Sequence, residues 1–258
     1  MKRTFSILCA AALCFGCGQS ADSKRPQLLL ISDEEMNQMG TDAYEEILAE
    51  SPVSNDPRET GEIVEVGSAI AQVSGKQDYD WRFSLLRDDQ ANAFCLPGGK
   101  VAIYTGLLPY AQNNAGLAAV LGHEVAHALL RHSAERMSEQ LLQQGALSLV
   151  GLTYQNSAYR DLIAAALGIG SEVGISLPFS RLQEKEADRL GLQLMAKAGY
   201  DPREAVNLWN RMSEAGERMP QILSTHPDPK SRMEDLQKHM PEAIELYNQS
   251  SHRPTMPL

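Results

Sequence analysis

Cysteine is scarce in this sequence, with four in 258 residues, and three of the four fall within the first 17 positions. Only Cys95 lies in the body of the chain, so no intrachain disulfide is expected. Cys95 lies in the apolar stretch 93–96, which favours a buried structural thiol. A nucleophilic cysteine is the alternative, but reactive thiols occupy electropositive, partly exposed surroundings.

Long apolar runs are also absent, because none reaches the roughly 20 residues that a membrane-spanning helix needs. The segment 145–177 is rich in Ala, Leu, Ile and Gly and poor in charge, yet its apolar stretches are short and interrupted. We expect this segment to supply core helices or a mobile lid over a cleft.

Positive charge is in deficit, with 23 Lys and Arg against 33 Asp and Glu and a formal net charge of −10. This balance disfavours nucleic acid as a partner and provides no electrostatic attraction to anionic lipid. The length is enough to bury a full hydrophobic core, most simply as one domain over residues 28–258.

The N terminus has the pattern of an export signal, a basic start followed by a short apolar run that ends at residue 16. The run resembles a bacterial lipobox, which predicts that Cys17 is lipidated, although Cys14 stands where leucine is usual. Gly18 favours the outer membrane over the inner one, and residues 17–27 are expected to form a tether. A plain secretory signal is the alternative.

The chemistry centres on two histidines four residues apart, His123 and His127, in a proline-free run of helix formers. Residues at this spacing share a helix face, so both imidazoles can reach one zinc ion. Glu124 lies at the edge of that face, and His-Glu-x-x-His is the zinc-protease signature, with the glutamate as general base. His132, five residues past His127, is expected at the surface. A hydrogen-bonded histidine pair without metal is the alternative.

A second helix can supply the third ligand. Ser180 can cap a helix on which Glu184 and Asp188 share one face, while Glu186 lies about 200° around from Glu184. Catalytic zinc keeps three protein ligands and an open position, and a ligand histidine needs its other ring nitrogen held. Glu184 is therefore a candidate ligand and Asp188 a candidate acceptor for a ligand histidine, whereas loss of Glu186 should matter little. A charged helix face is the alternative.

The rest of the pattern predicts further helices. A capping box at Ser32 opens a helix to about Glu50, and helical spacing of apolar residues marks a second one over 61–73. Asn113 caps the helix of the two histidines, which is expected to continue to around Leu142.

Alternation of apolar and polar residues predicts three strands, over residues 81–86, 91–96 and 100–105. In zinc proteases a sheet edge beside the metal helix often pairs with an extended peptide, so the third strand is a candidate substrate-binding edge. An ordinary hairpin strand is the alternative. The candidate edge residues are Val101, Ala102, Ile103, Tyr104 and Thr105.

Taken together, these motifs resemble the HtpX, CAAX-prenyl-protease and Oma-type zinc metalloendopeptidases. The resemblance covers about residues 28–240. It rests on six motifs in family order: Asn92 to Phe94, Pro97 to Gly99, Thr105 to Leu108, Gly122 to His127, Ser180 to Arg181 and Glu184 to Asp188. It implies an α+β, mostly α-helical, zincin-like domain with a small β-sheet beside the active-site helix.

The resemblance also implies one zinc ion per chain, bound by His123, His127 and Glu184, with Glu124 as base. The segment 224–232 matches a family loop in which His226 and a downstream arginine, here Arg232, can stabilise an oxyanion. Alternatively, His226 takes the fourth zinc position in a resting state. A surface histidine is the further alternative.

The function expected from the sequence is zinc-dependent endopeptidase activity in the bacterial cell envelope. The chain lacks the transmembrane helices of multispanning members and looks like an exported lipoprotein branch that degrades misfolded or misassembled envelope proteins. It is then an outer-membrane lipoprotein facing the periplasm, bound to the membrane through the lipid on Cys17. The alternative is a non-proteolytic lipoprotein chaperone or scaffold.

Overall fold

The computed structural model of the chain describes residues 17–18, 25–143, 179–215, 220–227 and 229–252. The predicted export signal over residues 1–16 and the charge-poor segment 145–177 lie outside the described residues. No helix in the described ranges is long and apolar enough to cross a membrane.

Helices dominate the described residues, as the sequence predicts, and a small sheet accompanies them. The helices are α1 (Asp33–Glu50), α2 (Pro57–Val73), α3 (Leu108–Ala111), α4 (Asn114–Leu129), α5 (His132–Gln143), α6 (Arg181–Lys197), α7 (Arg203–Ser213), α8 (Ile222–Thr225) and α9 (Pro229–Gln249). The strands are β1 (Cys17–Gly18), β2 (Gln27–Leu28), β3 (Arg82–Leu86), β4 (Ala93–Leu96) and β5 (Lys100–Tyr104).

The helix starts follow the caps that the sequence contains. Ser32 and Glu35 form the predicted capping box of α1. The helix α2 begins earlier than predicted, because the Asp56 side chain caps it and Pro57 occupies its first turn, where the missing N–H costs nothing. Asn113 caps α4 through a bond from the Gly116 N–H to its side chain.

The sheet corrects the prediction that residues 101–105 form an edge. Its order is β3-β5-β4, with β5 parallel to β3 and antiparallel to β4. Val101 pairs with Phe83 on one side and Cys95 on the other, so β5 is the central strand. The local hairpin pattern reveals only the pairing with β4. The parallel pairing with β3 depends on a long-range contact that alternation does not encode.

The metal helix is shorter than predicted, because α4 ends at Leu129 and α5 begins at His132. Arg131 between them has a positive φ of 58°, a left-handed conformation that non-glycine residues seldom adopt. Its guanidinium pairs with Asp33 of α1 at 2.6 Å. The break changes the direction of the chain immediately before His132.

The helix α4 is buried along nearly its whole length, between the sheet and α2 on one side and α6 on the other. It meets α6 at two glycines. A Cβ built on Gly122 would lie 2.7 Å from the Gly191 carbonyl oxygen, and one on Gly191 would lie 2.8 Å from the Gly122 carbonyl carbon. Only glycine at both positions allows this close approach, which brings the faces that carry His123 and Glu184 together.

Candidate metal centre

Four buried side chains converge where α4, α6 and the end of α8 meet. His123, His127, Glu184 and His226 each offer one ligand atom, and these atoms all lie within 4.8 Å of one another. The structure therefore brings the three predicted ligands together and adds His226 as a fourth. All four side chains are buried.

The distances within the group suit a cation. The Nε2 atoms of His123 and His127 are 3.0 Å apart. Nδ1 of His226 lies 3.1 Å from Nε2 of His123 and 2.9 Å from Oε1 of Glu184. Zinc bonds of about 2.0–2.1 Å in a tetrahedron hold ligand atoms about 3.4 Å apart, so a group of nitrogen and carboxylate ligands at this spacing fits a zinc ion.

The protonation states of the two α4 histidines also suit a metal. Burial lowers the pKa of His123 to about 4, with a further lowering by Arg232, and burial holds the pKa of His127 well below its usual range. Both rings are therefore neutral at pH 7 and have a lone pair to donate, which is the form that binds metal.

Glu184 supplies the negative charge of the group. Burial alone would raise its pKa, but Arg232 and His226 outweigh burial and hold the pKa well below the usual range. The carboxylate is therefore ionised. The pKa of His226 is raised because Glu184 and Glu124 outweigh the effect of burial.

Glu124 lies at the edge of the group, as its place beside His123 predicts. Its Oε1 is 3.4 Å from Nε2 of His226 and has no hydrogen-bond partner among the described residues. Burial raises its pKa to about 7, and the negative charge of Glu184 adds to the shift, while the backbone amide of Cys95 opposes it. A carboxylate that titrates near neutrality is matched to proton transfer.

Asp188 and Arg232 lie behind the metal group. Asp188 Oδ1 is 3.1 Å from Nδ1 of His123, and Arg232 Nε donates to Asp188 Oδ2 at 2.7 Å. Arg232 Nη1 is 2.8 Å from Glu184 Oε2, and the guanidinium carbon lies 3.7 Å from the centre of the Trp209 ring. Arg232 is 2% exposed, so the guanidinium is enclosed by two carboxylates and an indole.

His132 corrects a prediction, because it is fully buried and not at the surface. Its Nδ1 lies 2.9 Å from Nδ1 of His127, and its Nε2 lies 3.2 Å from Oε2 of Glu186. On a straight helix a residue five past His127 would turn away. The break at Arg131 returns the ring to His127, and no local spacing pattern predicts that break.

Glu186 lies outside the metal group, as its position on α6 predicts, yet it is not a lone surface charge. Oε1 of Glu186 accepts from Arg25 Nε at 3.1 Å, while Oε2 faces His132. The side chain is 21% exposed. Its removal therefore costs two contacts, which sequence spacing alone does not reveal.

Phe179 is a neighbour of the metal group that sequence reasoning missed. Its ring centre lies 3.9 Å from that of His127 and 5.0 Å from that of His226. The guanidinium carbon of Arg136, a residue of α5, lies 3.8 Å from the centre of the Phe179 ring. The only signal in the sequence is an aromatic residue directly before the Ser180 helix cap.

Comparison with known proteins supports a metallopeptidase. The profile of Peptidase family M48 matches residues 57–240. The mitochondrial metalloendopeptidase OMA1 of Schizosaccharomyces pombe is 38% identical over 218 residues, which are 80% of this chain and 61% of that protein. The beta-barrel assembly-enhancing protease of Escherichia coli K12 is 29% identical over 222 residues, 83% of this chain and 45% of that protein.

A third relative extends the match along the chain. The putative beta-barrel assembly-enhancing protease of Vibrio cholerae is 32% identical over 248 residues, which are 90% of this chain and 51% of that protein. The chain thus spans between 45% and 61% of the length of these curated relatives.

Proposed function

The chain belongs to peptidase family M48, and on that basis we propose that it is a zinc-dependent endopeptidase. The observation that carries the proposal is the buried group of His123, His127, Glu184 and His226, with ligand atoms within 4.8 Å of one another and Glu124 beside them. Two neutral histidines and an ionised glutamate are the ligand set of several catalytic zinc sites.

The chain's own residues divide the work of peptide hydrolysis. His123, His127 and Glu184 would hold the zinc ion, which when bound supplies Lewis acidity that polarises a peptide carbonyl and acidifies water. Glu124 Oε1 accepts the proton of the attacking water and then delivers it to the leaving amine. Its pKa of about 7 suits both transfers.

The structure suggests a role for Arg232 other than oxyanion stabilisation. An oxyanion donor must face the substrate. The guanidinium of Arg232 instead contacts Asp188 and Glu184 and is almost fully buried. We therefore assign Arg232 to positioning, in which it keeps both carboxylates ionised and oriented toward the ligand shell.

His226 takes the place of a fourth ligand in this arrangement. Its Nδ1 lies among the ligand atoms and its ring packs against Phe179. A zinc site with four protein ligands is closed, whereas catalysis needs an open position. We assign the arrangement to a resting state in which His226 must withdraw before substrate binds.

The substrate is proposed to bind at β4, which replaces the incorrect assignment to β5. Within the described part of the chain β4 pairs with one strand only, β5. The backbone amide of Cys95 in β4 is close enough to Glu124 to lower its pKa, and on this basis we propose that the edge of β4 that no described strand occupies faces the site. An extended peptide added to this edge would be held through its main chain, with little demand on its sequence.

Access to β4 requires movement of the segment that carries His226. The Ile222 N–H donates to the Ala91 carbonyl at 3.0 Å, just before β4. The Phe179 N–H donates to the Thr225 carbonyl, also at 3.0 Å. Displacement of residues 220–227 would therefore uncover the strand edge and withdraw His226 together.

The biological role we propose is the removal of misfolded or misassembled envelope proteins. Its support is the lipobox-like start of the chain and the bacterial relatives named beta-barrel assembly-enhancing protease. The relatives named OMA1 are mitochondrial proteins, so the compartment is proposed from the lipobox-like start of the chain. The proposed location is the outer membrane, with a lipid on Cys17 and the domain in the periplasm.

The anchor has its own test. Cys17→Ser should abolish labelling by a palmitate analogue and release the protein from the membrane fraction, or leave an uncleaved precursor, without changing peptidase activity of the solubilised enzyme. Unchanged acyl labelling would exclude Cys17 as the lipid site.

A lipoprotein chaperone or scaffold that keeps the fold without cutting is the second candidate. The complete His-Glu-x-x-His set, with Glu124 at the edge of the metal group, favours the enzyme. The deciding experiment is cleavage of fluorescently labelled casein by the purified chain. We expect cleavage that 1,10-phenanthroline abolishes and added zinc restores. Stable binding of casein without cleavage, with or without zinc, would favour the chaperone.

A further inference from the structure

The two α4 histidines of the metal group have different partners behind them. Nδ1 of His123 faces a carboxylate directly, Asp188 Oδ1 at 3.1 Å. Nδ1 of His127 faces another imidazole, Nδ1 of His132 at 2.9 Å. A carboxylate, a backbone carbonyl or a water is the usual partner of a metal-binding histidine, so the second arrangement needs its own explanation.

The proton positions follow from the atoms that face one another. Metal binding through Nε2 requires the proton of His127 to be on Nδ1, which then donates to Nδ1 of His132. The proton of His132 must in turn be on Nε2, which faces Oε2 of Glu186 at 3.2 Å. An ionised carboxylate only accepts hydrogen bonds, so Glu186 favours this set of tautomers over the reverse one.

From this geometry we propose that His132 and Glu186 are positioning residues for zinc, which fix the tautomer and ring orientation of His127. The pair holds Nδ1 of His127 through the ring of His132, whereas Asp188 holds Nδ1 of His123 directly. The inference rests on the proposed function, because it concerns the same metal group.

The surroundings of the pair hold it in place. His132 is fully buried and its ring lies 4.9 Å, centre to centre, from that of His127. The Glu186 carboxylate accepts from Arg25 Nε at 3.1 Å. Arg25 Nη2 also donates to Oε2 of Glu135 on α5, at 2.7 Å. Arg25 therefore ties the segment just before β2 to the carboxylate that orients His132.

The first test measures zinc affinity by competition with a chromophoric chelator, which needs no activity assay. His132→Ala should weaken zinc binding about 10–100-fold, the usual cost of losing such a partner. His132→Asn places an amide oxygen near the position of Nδ1 and should recover much of the loss. His239→Ala is the matched control, because His239 lies beside a carboxylate, Asp235, on α9 and should leave affinity unchanged.

The second test separates the hydrogen bond from the ion pair, and it remains decisive if His132→Ala fails to fold. Glu186→Ala removes the acceptor of His132, whereas Arg25→Ala removes the ion pairs of Glu186 and Glu135 and leaves that acceptor in place. We expect Glu186→Ala to weaken zinc binding by about tenfold and Arg25→Ala by clearly less. Nitrogen-15 shifts of the zinc-loaded protein should show His132 with its proton on Nε2.

The possible results of these two tests lead to different conclusions. Wild-type affinity in both His132→Ala and Glu186→Ala, no recovery in His132→Asn, or a His132 proton on Nδ1 would overturn the inference while the metal site stands. Equal losses in Glu186→Ala and Arg25→Ala would assign Glu186 to the ion pairs and overturn its role. A wild-type chain that binds no zinc would overturn the proposed function and this inference together.

Discussion

The metal group has two sides that are built differently. The helix side consists of His123, His127 and Glu184, on α4 and α6, which are 16 and 17 residues long and meet backbone to backbone at two glycines. The loop side consists of Phe179 and residues 220–227, where His226 follows the four-residue helix α8.

The comparison suggests a division between permanent and exchangeable ligands. Side chains on long packed helices hold a fixed geometry, whereas segments with few buried contacts open at a low free-energy cost. One backbone hydrogen bond, from the Ile222 N–H to the Ala91 carbonyl, joins the loop side to the chain before β4, and another, from the Phe179 N–H to the Thr225 carbonyl, joins the two parts of the loop side to each other. The helix side is thus suited to retain zinc and the loop side to uncover it.

The largest effect is expected from the removal of a ligand on the helix side. Glu184→Ala deletes the only carboxylate of the four-residue group and leaves Arg232 without one of its two carboxylate partners. We expect both zinc and casein cleavage to be lost. Elemental analysis of the purified variant beside its cleavage rate checks this. A variant that retains one zinc per chain would show that Glu184 is not a ligand.

A smaller effect on zinc binding is expected from a substitution at the glycine contact between α4 and α6. Gly191→Ala places a Cβ within 2.8 Å of the α4 backbone, which must separate the two helices. Overpacking of this kind destabilises by about 1–3 kcal/mol, and zinc affinity should fall with it. Chemical denaturation of the zinc-free protein measures the first effect.

The matched control is Gly61→Ala in the interior of α2, where an added Cβ meets nothing within 4 Å. It should stabilise the protein by about 0.5–1 kcal/mol through helix propensity. If both substitutions change stability in the same direction, the close approach of α4 and α6 does not limit the fold.

The smallest loss of zinc is expected from a substitution on the loop side. His226→Ala leaves three ligands in place, so zinc content should stay near that of the wild type and casein cleavage should rise because the fourth position opens. His127→Ala, the same change on the helix side, should lose the metal. A fall of about 10²–10³ in rate for His226→Ala would instead assign His226 to oxyanion stabilisation.

Local spacing was enough to predict the helix side. Two histidines at i and i+4, and Glu184 and Asp188 at the same spacing on a capped helix, encode which residues share a face. The caps at Ser32 and Asn113 likewise fixed where α1 and α4 begin. The mostly helical fold with a small sheet is confirmed.

The predictions that were wrong concern features that depend on contacts between residues distant in the sequence. The parallel pairing of β3 with β5 moved Val101 from an edge to the centre of the sheet. The left-handed Arg131 ended α4 early and buried His132, and it is held by Asp33, almost 100 residues away. Neither event leaves a periodic signal, so the contact of His132 with His127 was visible only in three dimensions.

We propose that this chain hydrolyses peptide bonds with Glu124 as the general base. The most direct measurement is the casein cleavage rate of Glu124→Gln together with its zinc content. Glutamine keeps the size of the side chain but accepts no proton, so the rate should fall about 10²–10⁴-fold while zinc stays bound. Glu139→Gln, at an exposed position of α5, is the control and should match the wild type. A Glu124→Gln rate near that of the wild type would exclude Glu124 as the general base.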